Sequence, residues 1–289
     1  MTGRTGVLVM AYGTPAGPDD LEAYYTHIRR GRPPSEEQLA DLRRRYDAIG
    51  GTSPLLARTR AQVDALQAVL GDSFVVVLGQ KHAAPFVEDG RAALEAAGVG
   101  TIVGLVLAPH YSALSVGKYE ERARPDAMVR SWHREPGLIE LLAQRVTDAG
   151  ARAPGTETLF TAHSLPARIL DMGDPYPAQV EETARLVAAA AGIERWRVAW
   201  QSAGRTPEPW LGPDILEVIP VLDADVVVVC PVGFVSDHLE VLYDIDIEAR
   251  RTAEAAGKRL TRTASLDDDP RFIAVLADVV RRALLPEEP

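Results

Sequence analysis

The chain has 289 residues, of which 46% are hydrophobic and 25% are charged. With 23 glycines and 21 prolines, this composition is typical of a globular protein and excludes collagen-like, low-complexity and disordered classes. The 31 basic and 41 acidic residues give a net charge of −10, which argues against a nucleic-acid binder held by phosphate contacts. The length fits one large α/β domain or two domains of about 140 residues each.

Cysteine content and hydropathy bear on the compartment. The single cysteine, Cys230, cannot form an intrachain disulfide or hold an iron–sulfur cluster by itself, so we expect a reducing environment and no such cluster. The apolar run at 7–11 is shorter than a signal-peptide core or a membrane span of about 20 residues. We therefore predict a cytoplasmic protein without a transmembrane segment.

Short β-branched runs alternate with longer stretches of helical period, which is typical of βαβ units and a parallel sheet. In the first half, the pattern predicts strands at 6–11, 74–78 and 101–107 and helices at 19–30, 35–49, 55–70 and 87–97. In the second half, it predicts strands at 156–162, 196–200 and 225–230 and helices at 178–191, 215–222 and 240–256. Ser35 and Gln38 mark the start of one of these helices, as a capping box.

The two halves are separated by a cluster of Gly, Pro and Ala at 149–155. We predict an α/β fold of two similar Rossmann-like domains, 1–150 and 151–289, each a parallel sheet flanked by helices, with a cleft between them. A last helix near 270–285 is expected to pack back on the first domain.

Several chemically versatile side chains directly follow predicted strands. They are Tyr12, Lys81, His82, His110, His163 and His238. In open parallel sheets, ligands bind beyond the carboxyl ends of the strands. A histidine satisfied in a loop or in the core is the ordinary interpretation of any one position, but several together from both halves indicate a shared cleft.

An acidic row follows the last predicted strand of the second half. Glu240, Asp244 and Glu248 recur every four residues, which stacks them on one helical face about 6 Å apart. Like charges at this spacing destabilise a helix, so the row needs an explanation, which is solvent, basic partners or a path for cations. His238 and Glu240 are two residues apart, and only an irregular or π-type first turn would let both face one pocket.

His163 and Ser164 are adjacent, and adjacent residues do not form a serine-protease triad. A proton acceptor or metal ligand is the better interpretation of His163. A structural zinc site is disfavoured, because His163 and Glu240 supply too few ligands. Two ligands, His163 and Glu240, suit a metal ion that binds only transiently.

Six arginines lie between positions 29 and 45, among them Arg29 and Arg45, although the chain is acidic overall. Guanidinium groups suit bidentate pairing with carboxylates. The alternative is a solvated helix face with surface salt bridges.

Taken together, these segments resemble the ferrochelatase family from residue 6 to about residue 282. The similarity is strongest with the bacterial branch that uses coproporphyrin. The motifs that carry it are LVMAYGTP at 8–15, YYTHIRRGR at 24–32, RYDAIGGTSPL at 45–55, KHAAPF at 81–86, LAPHYSALSVGKY at 107–119, TAHSLP at 161–166, GDPY at 173–176, WQS at 200–202 and GFVSDHLEVLYDIDIE at 233–248.

The resemblance implies insertion of Fe(II) into coproporphyrin III to give coproheme in haem biosynthesis, inside a cleft between two chelatase-type domains. Fe(II) would be a substrate, with no tightly bound cofactor. His163 and Glu240 match the central pair of the family, which implies that they are catalytic and bind the metal on one side of the macrocycle. Asp244 and Glu248 would continue the row as an outer, hydrated cation site.

The same matching implies a set of porphyrin contacts in the first half of the chain. Tyr12 would face the metal from the other side, and the arginines would bind propionates. The implied porphyrin-binding residues are Tyr12, Arg29, Arg45, Tyr46, Ser53 and Tyr119.

Other functions stay open from the sequence alone. A protoporphyrin-using ferrochelatase, or a cobalt chelatase acting on a more reduced tetrapyrrole, would use the same chemistry. A porphyrin or haem carrier would bind without turnover, and a generic two-domain anion binder would not bind porphyrin. The expected partners are porphyrin and ferrous iron, with no nucleic acid, and we expect a monomer.

Overall fold

The computed structural model describes residues 3–285. Within this part of the chain, two four-stranded parallel sheets follow one another, and the second repeats the strand order of the first. The first sheet has the order β2-β1-β3-β4, with β1 Thr5–Ala11, β2 Phe74–Gln80, β3 Thr101–Val106 and β4 Ala127–Val129. The second sheet has the order β6-β5-β7-β8, with β5 Thr156–His163, β6 Trp196–Gln201, β7 Val226–Cys230 and β8 Arg259–Arg262.

Helices follow the strands in both halves. The α-helices are α1 Leu21–Ile28, α2 Glu36–Ala48, α3 Leu55–Leu70, α4 Val87–Ala96, α5 Val116–Ala123, α6 Pro136–Asp148, α7 Tyr176–Ala191, α8 Ile215–Val221, α9 Arg250–Ala255 and α10 Pro270–Arg282. Residues Glu240–Ala249 form a π-helix, and short 3-10 turns occupy Pro18–Asp20 and Ala167–Ile169.

The predicted α/β class, with a parallel sheet flanked by helices in each half, is confirmed. Four elements were not predicted: β4, β8, α5 and α6. β4 is only three residues long, and β8 has the sequence RLTR, which lacks an apolar run. These two strands are short or polar, and they gain their structure from neighbouring strands rather than from their own sequence pattern.

The last helix contacts elements from the first half of the chain. α10 packs against α3 and α6, and α6 in turn packs against α7 of the second half. At this junction Phe272 of α10 lies against Trp132, with ring centroids 5.7 Å apart, and both side chains are buried. The division of the chain into domains at residue 150 stays a prediction.

The helix that carries Arg45 and Tyr46 begins as its capping signal predicts. The Ser35 hydroxyl accepts a hydrogen bond from the Gln38 amide at 3.2 Å, and the Gln38 side chain accepts one from the Ser35 amide at 3.0 Å. This reciprocal capping box satisfies two backbone donors that the first turn leaves free. It fixes where α2 starts and therefore which of its side chains face the cleft.

Candidate active site

A cavity of about 750 Å³ opens at the carboxyl ends of the strands, with walls from both halves of the chain. Its size falls within the range of small-molecule and cofactor sites, roughly 300–1,000 Å³. All of the site residues predicted from the sequence line it: Tyr12, Arg29, Arg45, Tyr46, Ser53, Tyr119, His163, Glu240, Asp244 and Glu248.

His163 and Glu240 form a hydrogen-bonded imidazole–carboxylate pair in this cavity. His163 is the last residue of β5, and Glu240 is the first residue of the π-helix. The His163 Nδ1 lies 3.1 Å from Glu240 Oε2, and the two side chains are 33% and 31% exposed. Two buried neighbours hold their backbones: the Tyr176 hydroxyl donates to the His163 carbonyl at 2.9 Å, and the Gln201 amide donates to the Glu240 carbonyl at 3.2 Å.

The electrostatics of this pair favour a charged imidazole beside a carboxylate. Burial alone would lower the pKa of His163, but the Glu240 charge and hydrogen bond outweigh it, so the pKa lies above its usual value of 6.5. Burial would likewise raise the pKa of Glu240, but His163 and His238 hold it well below 4.5. A proton on this pair therefore sits on His163.

His238 and Glu240 can face one pocket because His238 lies before the helix and Glu240 is the first residue of the π-helix. In an α-helix, residues two apart point away from each other, but here the His238 Nε2 lies 3.6 Å from Glu240 Oε2. The His238 Nδ1 lies 2.9 Å from the Ser236 carbonyl oxygen, and the ring packs on Phe234 with centroids 4.8 Å apart. The π-type winding predicted for this segment is confirmed.

Asp244 has a basic partner, which is one of the explanations that the acidic row left open. Its side chain is almost fully buried, forms an ion pair with Arg45 and accepts a hydrogen bond from the Ser202 hydroxyl. Arg45 also lies over the ring of Tyr243, 4.7 Å from the centroid. Burial raises the pKa of Asp244 to about 6, against the opposing charge of Arg45 and with support from Glu240. Among the three acids of the row, Asp244 thus bridges the two halves.

The arginine cluster contributes only part of its members to the cavity. Arg29 and Arg45 line it, whereas Arg44 points outward, is 67% exposed and pairs with Asp41. Arg29 and Arg45 therefore face the cleft, as expected for groups that bind carboxylates. Arg44 belongs to a solvated helix face with a surface salt bridge, which was the alternative interpretation.

The remaining predicted contacts form an ordered wall beside these arginines. The Tyr46 hydroxyl lies 3.1 Å from the Thr14 hydroxyl, and burial raises the pKa of Tyr46 to about 12. The Ser53 hydroxyl accepts a hydrogen bond from the backbone of Leu55 at 3.3 Å. Tyr119 is buried, and the Lys81 ammonium lies 5.1 Å from its ring centroid.

Tyr12 lies on the wall formed by the first half, just beyond β1, and is 43% exposed. Enclosure in the cleft and the negative charge of Glu240 raise the pKa of its phenol, so the hydroxyl stays protonated. Its ring packs against His82, with centroids 4.6 Å apart, and His82 in turn contacts His27 through their Nδ1 atoms at 3.0 Å. His82 thus supports Tyr12 from the side.

Four further cavity residues were not predicted to be part of the site. Gln201 and Ser202 belong to the WQS motif, and Tyr176 ends the GDPY motif. Lys81 follows β2, and burial with the charges of Arg122 and Lys118 lowers its pKa to about 8. The motifs were a usable signal for the first three, but they did not indicate which atoms these side chains contact.

No group of three or more His, Cys, Asp or Glu side chains within residues 3–285 is placed to hold a metal ion. Helices long and apolar enough to cross a membrane are likewise absent from this described range. His163 and Glu240 are therefore a pair of potential ligands rather than a complete protein cage.

Comparisons with known proteins agree with this geometry. A family model described as Ferrochelatase matches residues 4–284. The chain is similar to the coproporphyrin III ferrochelatases of Anoxybacillus flavithermus, with 46% identity over 98% of this chain and 97% of the relative, and of Geobacillus thermodenitrificans, with 45% identity over 98% and 96%.

Among solved structures, the sirohydrochlorin chelatase SirB from Bacillus subtilis subspecies spizizenii, in complex with cobalt, matches with a TM-score of 0.59 and 12% identity over 97% of this chain and 95% of that one. At this identity the match shows the fold alone. The family model and the relatives, which span nearly the whole chain, establish that it belongs to the ferrochelatase family.

Proposed function

We propose that this chain inserts Fe(II) into coproporphyrin III and releases coproheme as an intermediate of haem biosynthesis. The observation that carries the proposal is the His163–Glu240 pair, which opens on the same cavity as Arg29 and Arg45. The relatives named coproporphyrin III ferrochelatase support the choice of substrate.

The reaction replaces the two pyrrole protons of the free porphyrin with one Fe(II), so two protons must leave as the metal enters. An acceptor within hydrogen-bond reach of the ring lowers the barrier for this step. We assign this role to the His163–Glu240 pair. The imidazole accepts a proton only in its neutral form, and once it has done so the neighbouring Glu240 carboxylate stabilises the imidazolium, as the raised pKa of His163 indicates.

The same two residues are proposed to bind Fe(II) before it reaches the ring. The macrocycle supplies the four nitrogen ligands of the product, so the protein needs only a transient pair. Tyr12 is proposed to face the metal from the opposite wall, and Glu248, together with Asp244, to line the outer part of the path.

Arg29 and Arg45 are proposed to bind propionates, with Tyr46, Ser53 and Tyr119 as neighbouring porphyrin contacts. Guanidinium groups pair with carboxylates in a bidentate geometry that also orients the ligand. Since coproporphyrin has more propionates than protoporphyrin, a wall of this kind favours coproporphyrin.

The assignment is tested by anaerobic assays with Fe(II) and either coproporphyrin III or protoporphyrin IX, following the loss of porphyrin fluorescence. We expect turnover with coproporphyrin III to be the faster of the two. Preference for protoporphyrin IX would overturn the choice of substrate. His163→Ala tests the alternative of a carrier, since we expect it to abolish turnover and to keep most of the porphyrin affinity, whereas a wild type without turnover would indicate a carrier.

We further propose that the protein acts as a cytoplasmic monomer. The sequence-based expectation of a reducing compartment supports the location, and light scattering of the purified chain tests the oligomeric state. A stable dimer would contradict this part of the proposal.

A further inference from the structure

A buried arginine lies behind the π-helix, on the side away from the cleft. Arg262, the last residue of β8, is only 12% exposed. Its Nε and Nη2 donate to the two carboxylate oxygens of Asp246 at 2.8 and 2.9 Å, which is a bidentate ion pair. Asp246 belongs to the π-helix but lines a separate open recess of about 340 Å³ with Arg262, rather than the active-site cavity.

The third nitrogen of the same guanidinium reaches the segment before the π-helix. Arg262 Nη1 donates to Asp237 Oδ1 at 3.1 Å, and the Ser265 hydroxyl donates to the same oxygen at 2.6 Å. Asp237 directly precedes His238. The Arg262 side chain therefore binds the chain on both sides of Glu240, at Asp237 and at Asp246.

These ion pairs matter because a π-helix is a rare form of winding that occurs mostly as single-turn bulges. Residues Glu240–Ala249 keep it over ten residues. If the segment relaxed to α-helical winding, its side chains would rotate relative to one another, because an α-helix has fewer residues per turn. Glu240 is the first residue of this helix and lies 3.1 Å from His163, so a change in the winding would be expected to move its carboxylate relative to the imidazole.

Enclosing the charged groups of Arg262, Asp237 and Asp246, even in part, is costly unless each is paired and hydrogen-bonded. Burial alone would lower the pKa of Arg262, but Asp246 and Asp237 outweigh it and raise the pKa above its usual value. Arg262 is thus a fully paired cation whose partners both belong to the segment that carries Glu240.

We infer that Arg262 is a positioning residue, which holds the segment before the π-helix at Asp237 and the π-helix itself at Asp246, so that Glu240 faces His163. The inference rests on the proposed function, because it assigns the spacing of this pair to metal insertion. It assigns to Arg262 no contact with porphyrin or metal.

The test compares Arg262→Met with Arg145→Met. Arg145 is a matched control, because it also forms a partly buried inter-element ion pair, with Asp269 at 2.9 Å, at the start of α10. In Arg262→Met we expect kcat for Fe(II) insertion to fall roughly tenfold to a hundredfold, as for the loss of hydrogen bonds between charged groups. We expect KM for Fe(II) to rise and the Kd for coproporphyrin to stay within about twofold. Arg145→Met is expected to lower Tm without changing kcat or KM.

A second variant keeps the test decisive if Arg262→Met does not fold. Asp237→Asn removes the ion pair of Arg262 with Asp237 and leaves its ion pair with Asp246 in place. We therefore expect a smaller loss of kcat in the same direction. Folded variants that lose only Tm, with wild-type kcat and KM, would overturn the inference.

A crystal structure of Arg262→Met, or of Asp237→Asn, supplies a readout that does not depend on activity. We expect altered winding of residues 240–249 and a longer distance between His163 Nδ1 and Glu240 Oε2. An unchanged π-helix in such a variant would overturn the role of Arg262. Absence of insertion by the wild-type protein would instead contradict the proposed function, and the crystallographic readout would still test the inference.

Discussion

His163 and Glu240 are 77 residues apart in the chain, yet the imidazole and the carboxylate lie 3.1 Å apart at the mouth of one cavity. β5 delivers the histidine, and the π-helix after β7 delivers the glutamate. Because β5 and β7 are neighbours in the second sheet, their carboxyl ends bring the two side chains together. This juxtaposition is the structural basis of the proposed chemistry.

Glu240→Gln tests the carboxylate of this pair. The amide keeps the shape of the side chain but removes the charge that raises the pKa of His163, so both proton acceptance and metal binding suffer. We expect the rate of metal insertion to fall by about 10²–10⁴-fold, the usual contribution of a positioned acid or base. Coproporphyrin affinity, measured by fluorescence quenching, should change little. Glu254→Gln on the exposed face of α9 is the control, and a rate equal to wild type in Glu240→Gln would contradict the assignment.

The stability of the pair is expected to depend on pH in a defined way. The raised pKa of His163 contributes stability that is complete below 6.5 and is lost as the pH rises through the folded-state value. The lowered pKa of Glu240 contributes stability that is present above 4.5 and is lost as the pH falls toward its folded-state value. Together they stabilise the fold most between these two limits.

We therefore expect the loss of Tm caused by His163→Gln to be larger at about pH 5.5 than at about pH 9. Thermal unfolding followed by circular dichroism measures this difference for the variant and the wild type in matched buffers. An equal loss of Tm at both pH values would show that the two side chains do not form a charged pair in the folded protein.

Arg29→Ala tests the propionate wall. Losing a charge-assisted hydrogen bond costs about 1.5–3 kcal/mol, so we expect KM for coproporphyrin III to rise by roughly tenfold or more. The rise should be smaller for protoporphyrin IX, which has fewer carboxylates. The control is Arg44→Ala, because Arg44 is 67% exposed and does not itself line the cavity, although its partner Asp41 does. Equal changes of KM for both porphyrins would contradict a role of Arg29 in substrate choice.

Gly233 allows a close approach between the turn after β7 and the end of β5. A Cβ at this position would lie 2.7 Å from the Ala162 Cβ and 2.9 Å from its Cα. Since Ala162 directly precedes His163, Gly233→Ala should displace the catalytic strand end and destabilise the fold by about 1–3 kcal/mol. Denaturant unfolding and the insertion rate measure both effects.

Gly17→Ala is the matched control for this substitution, because nothing lies within 4 Å of a Cβ there. We expect it to leave the insertion rate unchanged. Equal stability and activity of the two variants would show that the contact between Gly233 and Ala162 is not a constraint.

Of the eight strands within residues 3–285, the sequence pattern predicted six as apolar runs, of which β1 and β5 are buried on both faces, and it predicted most helices from their helical period. The helix predicted at 55–70 coincides with α3. The strand predicted at 74–78 corresponds to β2, which continues two residues further, to Gln80. β8 was missed because its sequence, RLTR, has no apolar run, and it is a strand only through its pairing with β7. Local pattern is informative where an element buries a whole face and uninformative where neighbours impose the structure.

The site was predictable in membership but not in its pairings. All of the proposed residues line one cavity, but the acidic row left solvent, basic partners and a cation path all open for Asp244. The partner that buries it, Arg45, is 199 residues away in the chain. The second partner, Ser202, has a left-handed backbone with φ of 60°, which sequence pattern does not reveal. Long-range ion pairs of this kind follow from the packing of the two halves.

The most direct test is a crystal structure of the protein with coproporphyrin III and Co(II) as a stand-in for Fe(II), with the metal located by anomalous scattering. We expect the metal within about 2.0–2.2 Å of a nitrogen of His163 or a carboxylate oxygen of Glu240, distances typical of such ligands. We expect the macrocycle to lie between this pair and Tyr12. A metal that contacts neither His163 nor Glu240, or a porphyrin bound outside the cavity, would contradict the proposed mechanism.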